Sequence, residues 1–316
     1  MADLLRVVFL GTGDIALPSL GHLLSDPDVA VVALVTQPDK PAGRHKLLKT
    51  PHIKEAARAA GVEVLQPAKA RDAIPRLVEL AADLFVVMAY GQLLPQRLLD
   101  LPRLACWNLH ASLLPRHRGA SPIQAALRAG DAETGVSVMH VARELDAGDI
   151  VLAERTPIRP GETGGQLHDR LAELAPLALA KALACLRTGA VPRTPQDPSL
   201  VTYLGKLTRE HGRIDWNLPA TALERAIRAY DPWPSSFTSL PDGRPLKVFP
   251  PTVVVEAGAA PGTVLAAGPG GIVVACGRDA LRLTFVQPEG RRHMTTDEFL
   301  RGHALAVGAR LGANDQ

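Results

Sequence analysis

Two residues spaced two apart carry the most chemistry in this chain: Asn108 and His110, closing the run Leu104-Ala105-Cys106-Trp107-Asn108-Leu109-His110. Side chains alternate across a strand, so both project from one face. An amide donor beside an imidazole suits a carbonyl centre whose oxygen gains charge while a proton moves. Such a pair wants a carboxylate to orient the ring and balance its charge. Asp146, in Leu145-Asp146-Ala147-Gly148, is the candidate. His110, His117 and His140 match no standard zinc spacing, so no metal is expected. Ser112 lacks the G-x-S-x-G elbow of a nucleophilic serine. His117 reads as a surface residue on the turn from Pro115 to Arg118.

The elements that must position these groups read as α/β. Residues 6 to 10 form a buried parallel strand, followed by Gly11-Thr12-Gly13-Asp14-Ile15-Ala16 and an apolar helix. That turn matches G-x-G-x-x-A, but the second strand, 29 to 35, ends in Thr36-Gln37-Pro38 where a dinucleotide fold places an acid. A tight turn without a nucleotide is the better reading. Residues 84 to 89 are apolar throughout and belong at the centre of a parallel sheet. They lead into Tyr90-Gly91-Gln92-Leu93-Leu94-Pro95, beyond a strand's carboxyl end, where open α/β sheets hold ligands. A long amphipathic helix spans 162 to 186.

Residues 1–189 therefore read as a Rossmann-like parallel-sheet domain. Residues 190–206 hold three prolines and little periodicity, as a linker does. From 207 the chain offers a helix, 220 to 229, and then six short strands set off by turn residues, the last spanning 281 to 286. This predicts a small OB-like β-barrel domain over 207–316.

With 316 residues, 47% apolar and 21% charged, the chain suits two folded domains and is too apolar for disorder. A net charge of +3 makes any nucleic-acid footprint local. The stretch from Thr36 to Pro51 reads as a loop, broken by three prolines and a glycine. It sets Lys40, Arg44, Lys46 and Lys49 against Asp39, an arm suited to phosphates. Cys106, Cys185 and Cys276 fit no disulfide framework. No apolar run is long enough to cross a bilayer, and the N-terminus enters a strand with no signal-peptide pattern. The expected compartment is the cytoplasm.

The stretch from Cys106 to Ile150, CWNLHASLLPRHRGASP through ELDAGDI, resembles the catalytic core of the 10-formyltetrahydrofolate-dependent formyltransferases. The resemblance extends to TQPD-x-P-x-GR at 36 to 44, AYG-x-(L/I)-LP at 89 to 95, and a K-L-T-x-E … R-I-D-W … P-W-P segment from Lys206 to Pro234. It implies formyl transfer with 10-formyltetrahydrofolate as co-substrate, no metal, and Asn108, His110 and Asp146 as the catalytic set. It implies folate contacts from Tyr90, Gly91, Ser112, Leu113, Leu114 and Pro115. The last segment marks members whose acceptor is the α-amine of methionine on initiator tRNA. That places Lys40, Arg44, Lys46, Lys206 and Arg209 as tRNA contacts. A monomer is expected. A small amine acceptor, such as glycinamide ribotide or an amino sugar, is the alternative. A non-enzymatic RNA-binding scaffold is a distant third. Departures are His45, His117, Glu144 and Ala147, where the family usually has Gly, Trp, Gly and Thr.

Overall fold

Apolar runs fix the first half of the chain as stacked strands and crossover helices. In chain order these are β1 (Leu5–Gly11), α1 (Leu17–Ser25), β2 (Val29–Val35), β3 (Lys40–Ala42), β4 (Leu47–Lys49), α2 (His52–Ala59), β5 (Glu63–Leu65), α3 (Ile74–Leu80), β6 (Leu84–Met88), α4 (Gln96–Leu99) and β7 (Ala105–His110). Then come α5 (Pro122–Ala129), β8 (Glu133–His140), β9 (Ile150–Pro157) and α6 (Gly164–Arg187). The computed structural model describes residues 4–42, 47–255 and 258–312.

One seven-stranded sheet runs in the order β5-β2-β1-β6-β7-β8-β9. Every residue of β6 is buried, and β6 takes the middle place. The pairings from β5 through β7 are parallel, but β8 pairs antiparallel with β7, setting Asn108 opposite Met139 and His110 opposite Ser137. Periodicity tells a strand from a helix; it carries no direction, so this reversal was not readable. α6 buries Leu167, Leu171, Ala175, Ala178, Ala182 and Leu183, a stripe at helical spacing. The expected loop from Thr36 to Pro51 contains a two-stranded hairpin, with Pro41 opposite Leu48. A two-stranded ribbon has a free edge on each strand, which is where a proline is tolerated.

Cα packing divides the chain into two compact units. One holds Met1–Pro122, Glu133–Thr156 and His168–Leu204; the other holds Ile123–Ala132, Pro157–Leu167 and Gly205–Gln316. Residues 190 to 204 pack with the first unit: Thr194 and Ile150 exchange backbone hydrogen bonds of 2.8 and 3.0 Å.

In the second unit, α7 (Ala220–Ala229) precedes β10 (Ser236–Ser239), β11 (Pro245–Val248), β12 (Thr252–Val254), β13 (Val264–Gly268), β14 (Gly271–Ala275), β15 (Ala280–Leu283), β16 (Phe285–Pro288), β17 (Met294–Thr295) and α8 (Thr296–Gly302). They form two four-stranded antiparallel sheets, β10-β11-β16-β17 and β12-β15-β14-β13. Both close on one core that includes Trp216, Ile227, Leu246, Ile272, Leu281, Val286 and Phe299. The single strand expected over 281 to 286 is two: the chain changes sheets at Thr284, as at a barrel corner.

Candidate active site

The burial of β7 puts His110 where its ring must find partners inside the protein. His110 is 6% exposed and Asn108, two residues back on the same face, is partly exposed. The ring Nε2 lies 2.9 Å from the carbonyl oxygen of His117. A carbonyl only accepts, so Nε2 carries a proton. Nδ1 faces the Oδ2 of Asp146 at 3.7 Å, within ion-pair reach once the ring is cationic. The arrangement leaves Nδ1 as the ring nitrogen that faces a carboxylate rather than a carbonyl. Asp146 is itself fixed, because the Gly119 N–H donates to its Oδ2 at 2.8 Å.

His117 is a correction to the sequence reading. It is 6% exposed rather than on the surface, and its backbone is left-handed at φ 61. Its N–H donates to Thr202 Oγ1 at 2.8 Å while its carbonyl accepts from His110. Asp146 also has a left-handed backbone, at φ 52, a conformation Asp tolerates better than most residues.

The turn after β7 is organised from within. Ser112 is fully buried, and its hydroxyl donates to the Arg116 carbonyl at 2.8 Å. Ser137 Oγ donates to the Ser112 carbonyl at 2.7 Å and accepts from the Leu114 N–H at 3.1 Å. Leu114 is buried, whereas Leu113 and Pro115 keep part of their surface. Of the residues of this turn expected at a folate, Ser112 and Leu114 thus shape the turn, and Leu113 and Pro115 have surface to offer.

Beyond the end of β6, Tyr90 and Gly91 join two other strand ends. The Tyr90 carbonyl accepts from Thr12 Oγ1 and Gln37 Nε2, each at 3.1 Å. Gly91 is exposed at φ 81. The Tyr90 ring is buried, its hydroxyl has no hydrogen-bond partner among the described residues, and burial pushes its pKa up to about 12. Gln92 holds the turn outward by accepting from the Ala70 N–H at 2.7 Å, and Leu93 is 84% exposed. The turn lies beyond the carboxyl end of a central strand, the place where open α/β sheets hold ligands. It sits beside the strand that carries Asn108. Burial also lowers the pKa of His140, paired across from Trp107, and raises that of the Cys106 thiol to about 12.

Arg44 and Lys46 lie outside the described residues, and of Lys40 only its strand is described. Lys206 and Arg209 are exposed on the second unit. Among the described residues no cluster of three or more His, Cys, Asp or Glu could hold a metal ion, and no helix is long and apolar enough to cross a membrane.

Known proteins resemble this chain in sequence and fold. Residues 5–183 match the formyl transferase family profile, and residues 206–304 match that of the formyl transferase C-terminal domain. A methionyl-tRNA formyltransferase of Akkermansia muciniphila is 48% identical over 306 residues, 95% of this chain and 97% of that protein. One from Thiobacillus denitrificans is 47% identical over 313 residues, 98% of this chain and 100% of that protein. Among solved structures, an N-formyltransferase from Helicobacter canadensis, in complex with folinic acid and dTDP-3-aminofucose, superposes with a TM-score of 0.65 at 15% identity, covering 89% of this chain and 99% of that one. HypX from Aquifex aeolicus, in complex with tetrahydrofolic acid, gives 0.60 at 18% identity, covering 93% of this chain and 46% of that one. At such identities the structural likeness is one of fold. The sequence likeness reaches further, through both matched regions, and the chain belongs to the formyl transferase family.

Proposed function

We propose that this chain transfers the formyl group of 10-formyltetrahydrofolate to the α-amine of methionine carried on initiator tRNA, for translation initiation. The carrying observation is that identity of 47–48% to methionyl-tRNA formyltransferases runs through both matched regions. The small-amine reading has weaker support: the N-formyltransferase solved with dTDP-3-aminofucose also spans both regions, but at 15% identity.

In this reaction Asn108 donates its amide N–H to the formyl oxygen, which gains charge as the methionyl amine adds to the formyl carbon. Losing one such donor costs on the order of 3 kcal/mol. His110 keeps its Nε2 proton on the His117 carbonyl and takes the amine's proton at Nδ1. Asp146, 3.7 Å from that nitrogen, steadies the cationic ring. The proton passes on to the folate nitrogen as its bond to carbon breaks, giving tetrahydrofolate and N-formylmethionyl-tRNA. Tyr90, Gly91 and the Ser112–Pro115 turn hold the folate. Lys40, Arg44, Lys46, Lys206 and Arg209 meet tRNA phosphates. The catalytic domain is residues 1–189 and the tRNA-engaging domain 207–316, in a cytoplasmic monomer.

The test offers the purified protein 10-formyltetrahydrofolate with either charged initiator tRNA or glycinamide ribotide. Formyl label is expected on the tRNA alone, and label on the ribotide alone overturns the reading. Arg44→Ala is expected to raise KM for tRNA while sparing formyl release to water. Equal losses in both would make the loop a support of the fold.

A further inference from the structure

The segment between Thr194 and Leu204 touches both partners of the His110 ring. Gln196 is its hub. Its Oε1 accepts two bonds from Arg118, from Nε at 3.0 Å and Nη2 at 2.8 Å. Its Nε2 donates to the carbonyls of Asp146 and Gly148, each at 2.8 Å. The orientation is unambiguous, since a guanidinium only donates and carbonyls only accept. Arg118 is 6% exposed and is itself held along the segment. Its N–H donates to the Thr202 carbonyl at 2.8 Å, and its carbonyl accepts from the Leu204 N–H at 3.1 Å. Its Nη1 donates to the Tyr203 hydroxyl at 3.1 Å, with the guanidinium 5.9 Å from that ring's centre.

The consequence reaches the proton-transfer pair on both sides. Thr202 fixes His117, whose carbonyl holds Nε2 of His110. Gln196 fixes the backbone of Asp146, whose carboxylate faces Nδ1. Both His117 and Asp146 have left-handed backbones, which persist only where surrounding contacts over-determine them.

We propose that Gln196 is a positioning residue for the transfer reaction: its amide locks the Asp146 turn to Arg118, so that the carboxylate stays in register with the His110 ring. Gln196 touches no substrate and acts through Asp146. This rests on the formyl-transfer reading above. Wild-type formylation of Met-tRNA tests that reading, and ratios between variants test this one.

The experiment is a double-mutant cycle on steady-state formylation with Gln196→Met, Asp146→Asn and the pair together, with thermal midpoints recorded. Gln196→Met should lower kcat by about tenfold to a hundredfold, the range for a displacement near 1 Å. KM for either substrate should stay within about twofold. In the Asp146→Asn background the same change should lower kcat by less than about threefold, because the two act as one unit. Gln196→Glu keeps the Arg118 pairing but sets an acceptor against two carbonyls, and should reproduce the kcat loss; it carries the cycle if Gln196→Met does not fold. Multiplicative losses in the double variant, a rise in KM with kcat unchanged, or failure of both variants to fold would each overturn the proposal.

Discussion

His110 has two nitrogens with different partners, and this asymmetry governs what each neighbouring residue is expected to do. Nε2 is spoken for by a backbone carbonyl, so the ring cannot turn to present it elsewhere without losing that bond. In the proposed reaction Asn108, on the same face of β7, is the side chain that meets the formyl oxygen. Asn108→Ala should lower kcat by about 10²–10³ and leave both KM values within about twofold, the pattern of an interaction made only in the transition state. Steady-state formylation kinetics check this, and near-wild-type kcat would remove the assignment. The pairing of Asn108 with His110 on one face was legible because strand alternation is written in side chains, whereas Asp146 was legible only as a candidate carboxylate, since spacing does not bring a distant turn to the ring. The His117 carbonyl was not legible at all. A backbone acceptor leaves no mark on residue identity, and a polar Pro-His-Arg turn looks exposed until the segment covering it is known. Cysteine reactivity is a further residue-scale expectation. Burial raises the Cys106 and Cys276 thiols to about 12, so a thiol reagent at neutral pH should label Cys185 alone in the native protein. Mass spectrometry of the labelled peptides decides it.

Elements place these residues through close backbone approaches. A Cβ at Gly148 would run into the His140 carbonyl where the chain leaves β8 and turns back into β9. A carbonyl held in the sheet cannot step aside as a flexible side chain could. Gly148→Ala should therefore lower the thermal midpoint and kcat together, by shifting the turn that carries Asp146. α6 offers a pH-dependent case. Burial pushes the Asp26 carboxyl up, but Arg187, bonding its two oxygens at 2.8 and 2.7 Å, together with the Asp28 N–H, holds it below the usual 3.8. A lowered acid pKa means stability that is present above 3.8 and lost as pH falls through the folded value. The midpoint gap between wild type and Arg187→Met should be widest near neutrality and close below pH 3.8. The central strands of this unit and α6 were legible from periodicity, but the β3–β4 hairpin was not, because its prolines read as a loop. The segment from 190 to 204 was legible only as extended, because its prolines suppress any period and its partners are mostly backbone groups and one buried arginine.

Across the whole molecule the net charge is only +3, so the proposed binding of tRNA rests on a few placed cations. Lys206 and Arg209 are exposed at the start of the second unit. Replacing both by Ala should raise KM for Met-tRNA, reduce the salt slope of tRNA binding by about one for each phosphate left without its cation, and leave KM for the formyl donor unchanged. A second module was legible from its short strands and turns. Its division into two sheets was not, since the alternating run from Leu281 to Val286 reads as one strand and the switch at Thr284 depends on which edge each half meets. The most direct measurement of the whole scheme is single-turnover formylation of initiator Met-tRNA by wild type and by Asp146→Asn, with tRNA binding measured alongside. Wild type should formylate the methionine, and the variant should be slower by at least about 100-fold with tRNA affinity unchanged, as befits loss of the carboxylate that steadies the proton-carrying ring. Equal rates in the two proteins, or no formyl on the wild-type product, would contradict it.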